Sequence, residues 1–207
     1  LQQLTDTGTV SFDDLDTTDT VSINFAPNND IVWNNTDGET IDPATAAALV
    51  AGFNTGVIDA DAPNTTPWTY NVAAADLDFL AAGESITFSY TITATDSEGA
   101  TGTHTLNFTI DGTNDDPTVS ATNSAVVTEA IDASTQRLTD TGTVSFDDLD
   151  TTDTVSISFA PNNDIRWNNP DGETIDPATA AALVAGFNTG VIDADAPGTT
   201  PWNYSVL

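Results

Sequence analysis

The chain has 207 residues, enough for one or two domains with their own cores. Its 32 acidic residues face two basic ones, Arg137 and Arg166, for a formal net charge of −30. That balance argues against nucleic acid and anionic membrane surfaces, both of which are held by Lys and Arg. The lack of cysteine excludes disulfides and thiolate metal sites. No apolar run is long enough to span a membrane and no signal-peptide pattern appears. Methionine is missing even at position 1, so the sequence reads as a piece of a longer chain.

Two readings of the charge compete. The acids could simply solvate the surface, or divalent cations could belong to the native state and neutralise part of the charge. Because the acids gather in loops, the second reading is favoured.

In chain order, Val10 and Phe12 alternate with polar residues and predict a strand over 4–12. The loop DDLDTTD follows, with Asp13, Asp14, Asp16 and Asp19. Val21, Ile23 and Phe25 predict a second strand over 20–26. The segment IDPATAAALVAGFN then changes period. Asp42 suits an N-cap, Pro43 the first helical position and Gly52 a C-terminal stop, with Ala46, Leu49, Val50 and Phe53 on one face. A short helix packed on the strands is expected there. Further strands are expected around 68–72, over 84–95 (Ile86, Phe88, Tyr90, Ile92) and over 103–111 (Leu106, Phe108, Ile110). The last two are joined by DSEGATG, a hairpin turn carrying Asp96 and Glu98. Asn114-Asp115-Asp116-Pro117 then leads into a strand expected over 119–129.

From Leu138 the sequence repeats what began at Leu4, an offset of 134 residues. Residues 1–73 and 135–207 differ at nine positions, among them Val32 against Arg166. The DDLDTTD loop returns as Asp147, Asp148, Asp150 and Asp153, and the helix as 176–188. Long near-identical repeats favour reach or multivalency over a single active site. The fold expected is an all-β, antiparallel Greek-key β-sandwich in tandem repeats, each with a short helical insertion and about seven strands. The domains expected are a first repeat over 1–113 lacking its initial strand, a linker over 114–117, and a second repeat over 118–207 lacking its final strands.

In such a sandwich the DDLDTTD and DSEGATG loops lie at the end where the chain enters. The loop with Asp76 and Asp78 lies where it leaves. Three acid clusters therefore converge on each joint, and Ca²⁺, which takes six to eight oxygens, suits them. No EF-hand loop and no glycine-rich calcium nonapeptide is present. The only histidine, His104, falls on an alternating strand, and without Cys or Lys any acid–base chemistry would rest on carboxylates. An enzyme is not expected. Two other functions fit parts of the same sequence. One is a carbohydrate- or ligand-binding module with Trp33, Trp68 and Tyr70 as a stacking platform; the other is a calcium-dependent homophilic adhesion surface.

The segment LDFLAAGESITFSYTITATDSEGATGTHTLNFTIDGTNDDP resembles the VCBS-type repeat of giant bacterial surface adhesins, including RTX adhesins. Phe79 to Glu84, Asp96 to Gly99 and Gly112 to Pro117 carry the likeness, with Pro67, Trp68 and Tyr70 ahead of them. The resemblance implies an immunoglobulin- or cadherin-like sandwich in an extender region that supports cell adhesion and biofilm formation. It also implies type I secretion to the surface of a Gram-negative bacterium, and stiffening by calcium. By position, the linker ligands would be Asn114, Asp115 and Asp116, with Asp111 just ahead of them. Asp147, Asp148 and Asp150 would come from the following unit. The partners expected are neighbouring repeats of the same chain. Because 74–117 could complete either near-identical half, strand exchange between chains is a further expectation.

Overall fold

The computed structural model describes residues 2–16, 18–55, 59–122, 126–132, 136–190 and 192–207. The structure is mostly β, with antiparallel sheets and two short helices. It divides into Leu1–Asn114 and Asp115–Leu207, so the boundary falls within the 114–117 segment.

The first unit contains β1 (Gln2–Phe12), β2 (Thr20–Pro27), β3 (Val32–Asn34), α1 (Pro43–Ala51), β4 (Phe53–Thr55), β5 (Asp59–Asp61), β6 (Asn64–Ala75), β7 (Ser85–Thr95) and β8 (Thr101–Asp111). One sheet runs β1-β6-β4. In the other, β7 pairs with β8 along one edge and with β2 and β3 along the opposite edge, and β5 lies outside β2. The two sheets pack face to face, as the period-two pattern requires of strands with one apolar side. Trp68, Tyr70 and Val72 of β6 meet Phe88, Tyr90 and Phe108 of the β7–β8 hairpin. Phe88 and Phe108 stack with centroids 5.3 Å apart, and Phe108 also contacts Trp68, Tyr70 and Phe53. Three strands, β3, β4 and β5, have only three residues each, too few to show a period.

The helical insertion forms as its signals predict. The Asp42 carboxylate accepts from the backbone N–H of Ala44 and Thr45, Pro43 opens the helix and the Gly52 N–H closes it on the Leu49 carbonyl. Those bonds hold the Asp42 carboxyl below its usual range, the Thr45 N–H contributing most. Leu49 is fully buried. The Tyr70 and Tyr90 hydroxyls donate to the Leu49 and Val50 carbonyls and so satisfy the helix end from both sheets. Burial pushes the Tyr90 phenol up to about 12.

The second unit contains β9 (Thr118–Ala121), β10 (Leu138–Asp147), β11 (Thr154–Ile157), α2 (Pro177–Ala185), β12 (Phe187–Thr189), β13 (Ile192–Asp195) and β14 (Gly198–Val206). One sheet runs β12-β14-β10-β9 and the other holds only β11 and β13. The strand expected over 119–129 is cut short. At Thr122 the side-chain hydroxyl replaces a backbone carbonyl as acceptor for the Thr143 N–H, and the ladder stops. Residues 126–130 form no strand, and 123–125 lie outside the described residues. β11 also ends at Ile157, whereas its counterpart β2 runs on to Pro27 because β7 pairs with it.

Leu49→Ala is expected to cost about 3 kcal/mol, the usual loss for emptying a fully buried leucine site. The same change at half-buried Leu183 in the second unit should cost well under that. Urea unfolding of the two variants measures the difference.

Candidate metal centre

The acid-rich loop between the first two long strands of each repeat has a local architecture of its own. In the first unit the Asp13 carboxylate accepts from the Asp14 N–H, the Asp14 carboxylate accepts from the Asp16 N–H at 2.9 Å, and the Asp19 N–H returns to the Asp16 carbonyl. In the second unit the Asp148 carboxylate accepts from the Asp150 N–H at 3.1 Å, and the Asp153 N–H returns to the Asp150 carbonyl. These are turn bonds that short Asp side chains make readily.

The two copies then part. Asp13 and Asp16 are exposed, with Asp14 and Asp19 half-buried. Asp147 is exposed and Asp148 half-buried, but Asp150 is 0 % exposed. The difference comes from the segment that precedes the second unit's strands. Thr118 stands opposite Asp147 in the β9–β10 register and its hydroxyl donates to the Asp147 carbonyl. The Asp115 N–H donates to Asp150 Oδ2 at 2.7 Å. The other oxygen, Asp150 Oδ1, is buried without a hydrogen-bond partner. A buried carboxylate oxygen left unpaired is costly. Burial pushes the Asp150 carboxyl above its ordinary range, and the charges of Asp153, Asp115 and Asp148 push the same way, against the downward pull of the Asp115 N–H. Either a proton or a cation relieves such a site.

The remaining predicted ligands sort to the two ends of the first unit. Ser22 pairs with Thr95, which puts the 13–19 loop and the 96–100 turn at the same end. There the Asp96 carboxylate accepts from the Glu98 and Ala100 N–H groups, and Glu98 is exposed. Ser85 pairs with Asp111 and Gln2 with Ala75, which puts Asp76, Asp78, Asp111 and Asn114 toward the opposite end. Asp76, Asp111, Asn114 and Asp116 are exposed, Asp78 and Asp115 half-buried.

Neither unit by itself brings the three acid clusters to one end: in the first, the 13–19 loop and the 96–100 turn share one end while Asp76 and Asp78 lie toward the other, and the second carries the linker acids and the 147–153 loop. Among the described residues, accordingly, no three carboxylate or imidazole side chains stand together as a ready-made cation cage. The fit to calcium rests on one buried, unpaired carboxylate oxygen with three acids around it. All of these donors are the hard oxygens calcium prefers, and backbone carbonyls would add to them.

Two other carboxylates were not legible from spacing. Glu84, nearly buried, accepts from the Trp33 indole N–H at 2.9 Å and from the Ala81 N–H. Asp30 accepts from the Ser89 hydroxyl and N–H, which hold its carboxyl below the usual range, the hydroxyl contributing most. Both tie loops to β7 or its approach, partners that no local pattern could reveal. Trp33, Trp68 and Tyr70 lie in the first unit's core, so the stacking platform loses its residues. His104 is exposed on β8, opposite Ile92.

No protein-family model and no curated protein matches the chain. No helix among the described residues is long and apolar enough to cross a membrane.

The raised Asp150 pKa gives a signed prediction. Its folded value lies above the ordinary 3.8, so the native state holds the proton more tightly than the unfolded chain. This group imposes no penalty below about 3.8; the penalty grows as pH rises to the folded value and is complete above it. Asp150→Asn keeps an acceptor for the Asp115 N–H and removes the charge. In chelator at neutral pH the variant should therefore be more stable than the parent. The gap should close on acidification, as read by thermal unfolding across a pH series.

Proposed function

We propose that the chain is a calcium-stabilised, non-catalytic extender from the repeat region of a secreted bacterial adhesin. Each repeat would be a Greek-key sandwich of the immunoglobulin or cadherin kind, serving to hold a distal binding domain away from a Gram-negative cell surface for attachment and biofilm formation. The observation that carries the calcium part is the buried Asp150 carboxylate, with Oδ1 unpartnered and Asp115, Asp148 and Asp153 acting on it. The near-identity of the repeats and the resemblance of 77–117 to VCBS-type repeats support the extender part.

Calcium would supply fixed positive charge where the chain passes from one repeat to the next. Asp148 and Asp150 would hold it from the loop and Asp115 and Asp116 from the linker. In a repeat that has both a preceding linker and its own hairpin, the counterparts of Asp96 and Glu98 would add to them. A linker tied to its loop in this way loses freedom at the boundary between units, and loss of the ion would restore repulsion among the acids. The recurrence of such boundaries along a repeat array is what would turn a local clamp into reach.

In millimolar calcium the melting temperature of the chain should rise and its maximum dimension in small-angle scattering should increase, both reversing in excess chelator. Saturating a native-state site at a hundred times its Kd stabilises by about 2.7 kcal/mol. Asp148→Asn combined with Asp150→Asn should remove most of the response. A scattering profile and melting curve indifferent to calcium would leave the acids as a solvated face and end this reading.

A further inference from the structure

An aspartate that precedes proline has one intramolecular reaction open to it. Proline has no N–H, so its nitrogen cannot close an imide on the aspartate side chain. The carboxylate can instead attack its own backbone carbonyl, with the proline nitrogen as leaving group. The chain contains three such bonds, Asp42–Pro43, Asp116–Pro117 and Asp176–Pro177.

The fold treats the three differently. Asp42 and Asp176 are helix N-caps. The Asp42 carboxylate accepts from the Ala44 N–H at 3.0 Å, the Thr45 N–H at 2.9 Å and the Thr45 hydroxyl at 3.2 Å. Its carbonyl accepts from the Ala46 N–H at 2.9 Å. Asp176 makes the same set of bonds with Ala178, Thr179 and Ala180. In both caps the attacking group and the carbonyl are engaged by the first helical turn, and attack would mean giving up those bonds. Asp116 is not so engaged. It and Pro117 are exposed, and among the described residues its carboxylate takes no hydrogen bond. The main chain on either side is nevertheless anchored. The Asp115 N–H donates to Asp150, the Thr118 hydroxyl donates to the Asp147 carbonyl, and β9 pairs with β10 from Thr118 onward. An unbonded carboxylate on an anchored backbone is poised to meet its own carbonyl.

We propose that Asp116–Pro117 is a self-cleavage site that divides the chain into 1–116 and 117–207. A carboxylate oxygen of Asp116 attacks the Asp116 carbonyl carbon. The tetrahedral centre collapses by breaking the C–N bond, and the electron pair leaves with the Pro117 nitrogen, which takes a proton from solvent. Water then opens the cyclic anhydride left on Asp116, giving two carboxyl groups. The net reaction is hydrolysis of one peptide bond by one water. A net charge of −30 concentrates protons around the chain and so favours departure of the amine. The cut removes no strand, since β8 ends at Asp111 and β9 begins at Thr118. It falls beside the division between the compact units and ends their covalent connection while leaving each its sheets.

The test follows the full chain by intact mass, kept folded in weakly acidic buffer with chelator and protease inhibitors. Expected is slow accumulation of 1–116 and 117–207, with a new Pro117 amino terminus, at least about tenfold faster than any cut after Asp42 or Asp176. In urea, where the caps are lost, all three bonds should break at similar rates. Asp116→Glu keeps the charge but must close a larger ring, and should slow the cut at least tenfold. Pro117→Ala should abolish it. Both positions are exposed, so both variants should melt close to the parent. Three results would overturn the proposal. One is a folded chain intact at Asp116–Pro117 while the unfolded chain is cut there. Another is equal cutting at all three bonds in the folded chain. The third is parent-like cutting of the Asp116→Glu chain, which would assign the cut to a protease. Because calcium is withheld throughout, failure of the calcium reading leaves this test intact.

Discussion

Phe108 sits at the point where the first unit closes, in ring contact with Trp68 and Tyr70 from one sheet and with Phe88 and Tyr90 from its own. Its strand lies at one edge of its sheet and is joined by a five-residue turn to β7, which pairs with β2 and β3 on the other side. One hairpin thus supplies both the missing strand edge and the aromatic lid of the core. Rings of this size dominate burial energy, and their edge-to-face and offset contacts fix the sheets in one register. In the first unit the hairpin joins β2 and β3 and closes the core; in the second, β11 stops four residues short of its counterpart, and Phe159, Trp167 and Phe187 are exposed while Phe146 and Trp202 stay buried.

The repeat therefore works as a controlled comparison written into one chain. The same nine-residue helix forms in both units, capped by Asp42 and by Asp176, since capping is local. Leu49 is fully buried in one unit, while Leu183 is only half-buried in the other. The same holds for Asp16 and Asp150. The loop bonds are alike, but only the second loop has the linker laid over it, and only there does a carboxylate become buried and unpaired. Local interactions choose the element, and a neighbour distant in the sequence chooses its burial.

Charge acts at two scales. Spread over the surface, a net charge of −30 favours solvation and opposes compaction through self-repulsion. Concentrated at Asp150, it becomes a specific constraint, because desolvation and three neighbouring acids act on one group. The first effect follows from composition and needs no structure. The second exists only because the Asp115 N–H reaches the loop and brings the linker with it.

Period-two alternation was enough to place β1, β2, β7 and β8 to within a few residues, because each is long and has one apolar face. The Asp42-Pro43 start and Gly52 stop likewise placed α1. The 134-residue repeat, the acid-rich loops and the hairpin turn were also legible, being local patterns or plain self-similarity. The three-residue strands were not, since they exist only by pairing with β6, β7 or β2. The early stop of β9 was hidden too, because it depends on the Thr122 hydroxyl finding Thr143. Nor could spacing distinguish Asp150 from Asp16, or Trp167 from Trp33. Their sequences are the same, and their burial is set by segments that lie far away in the chain and meet them only in the folded unit.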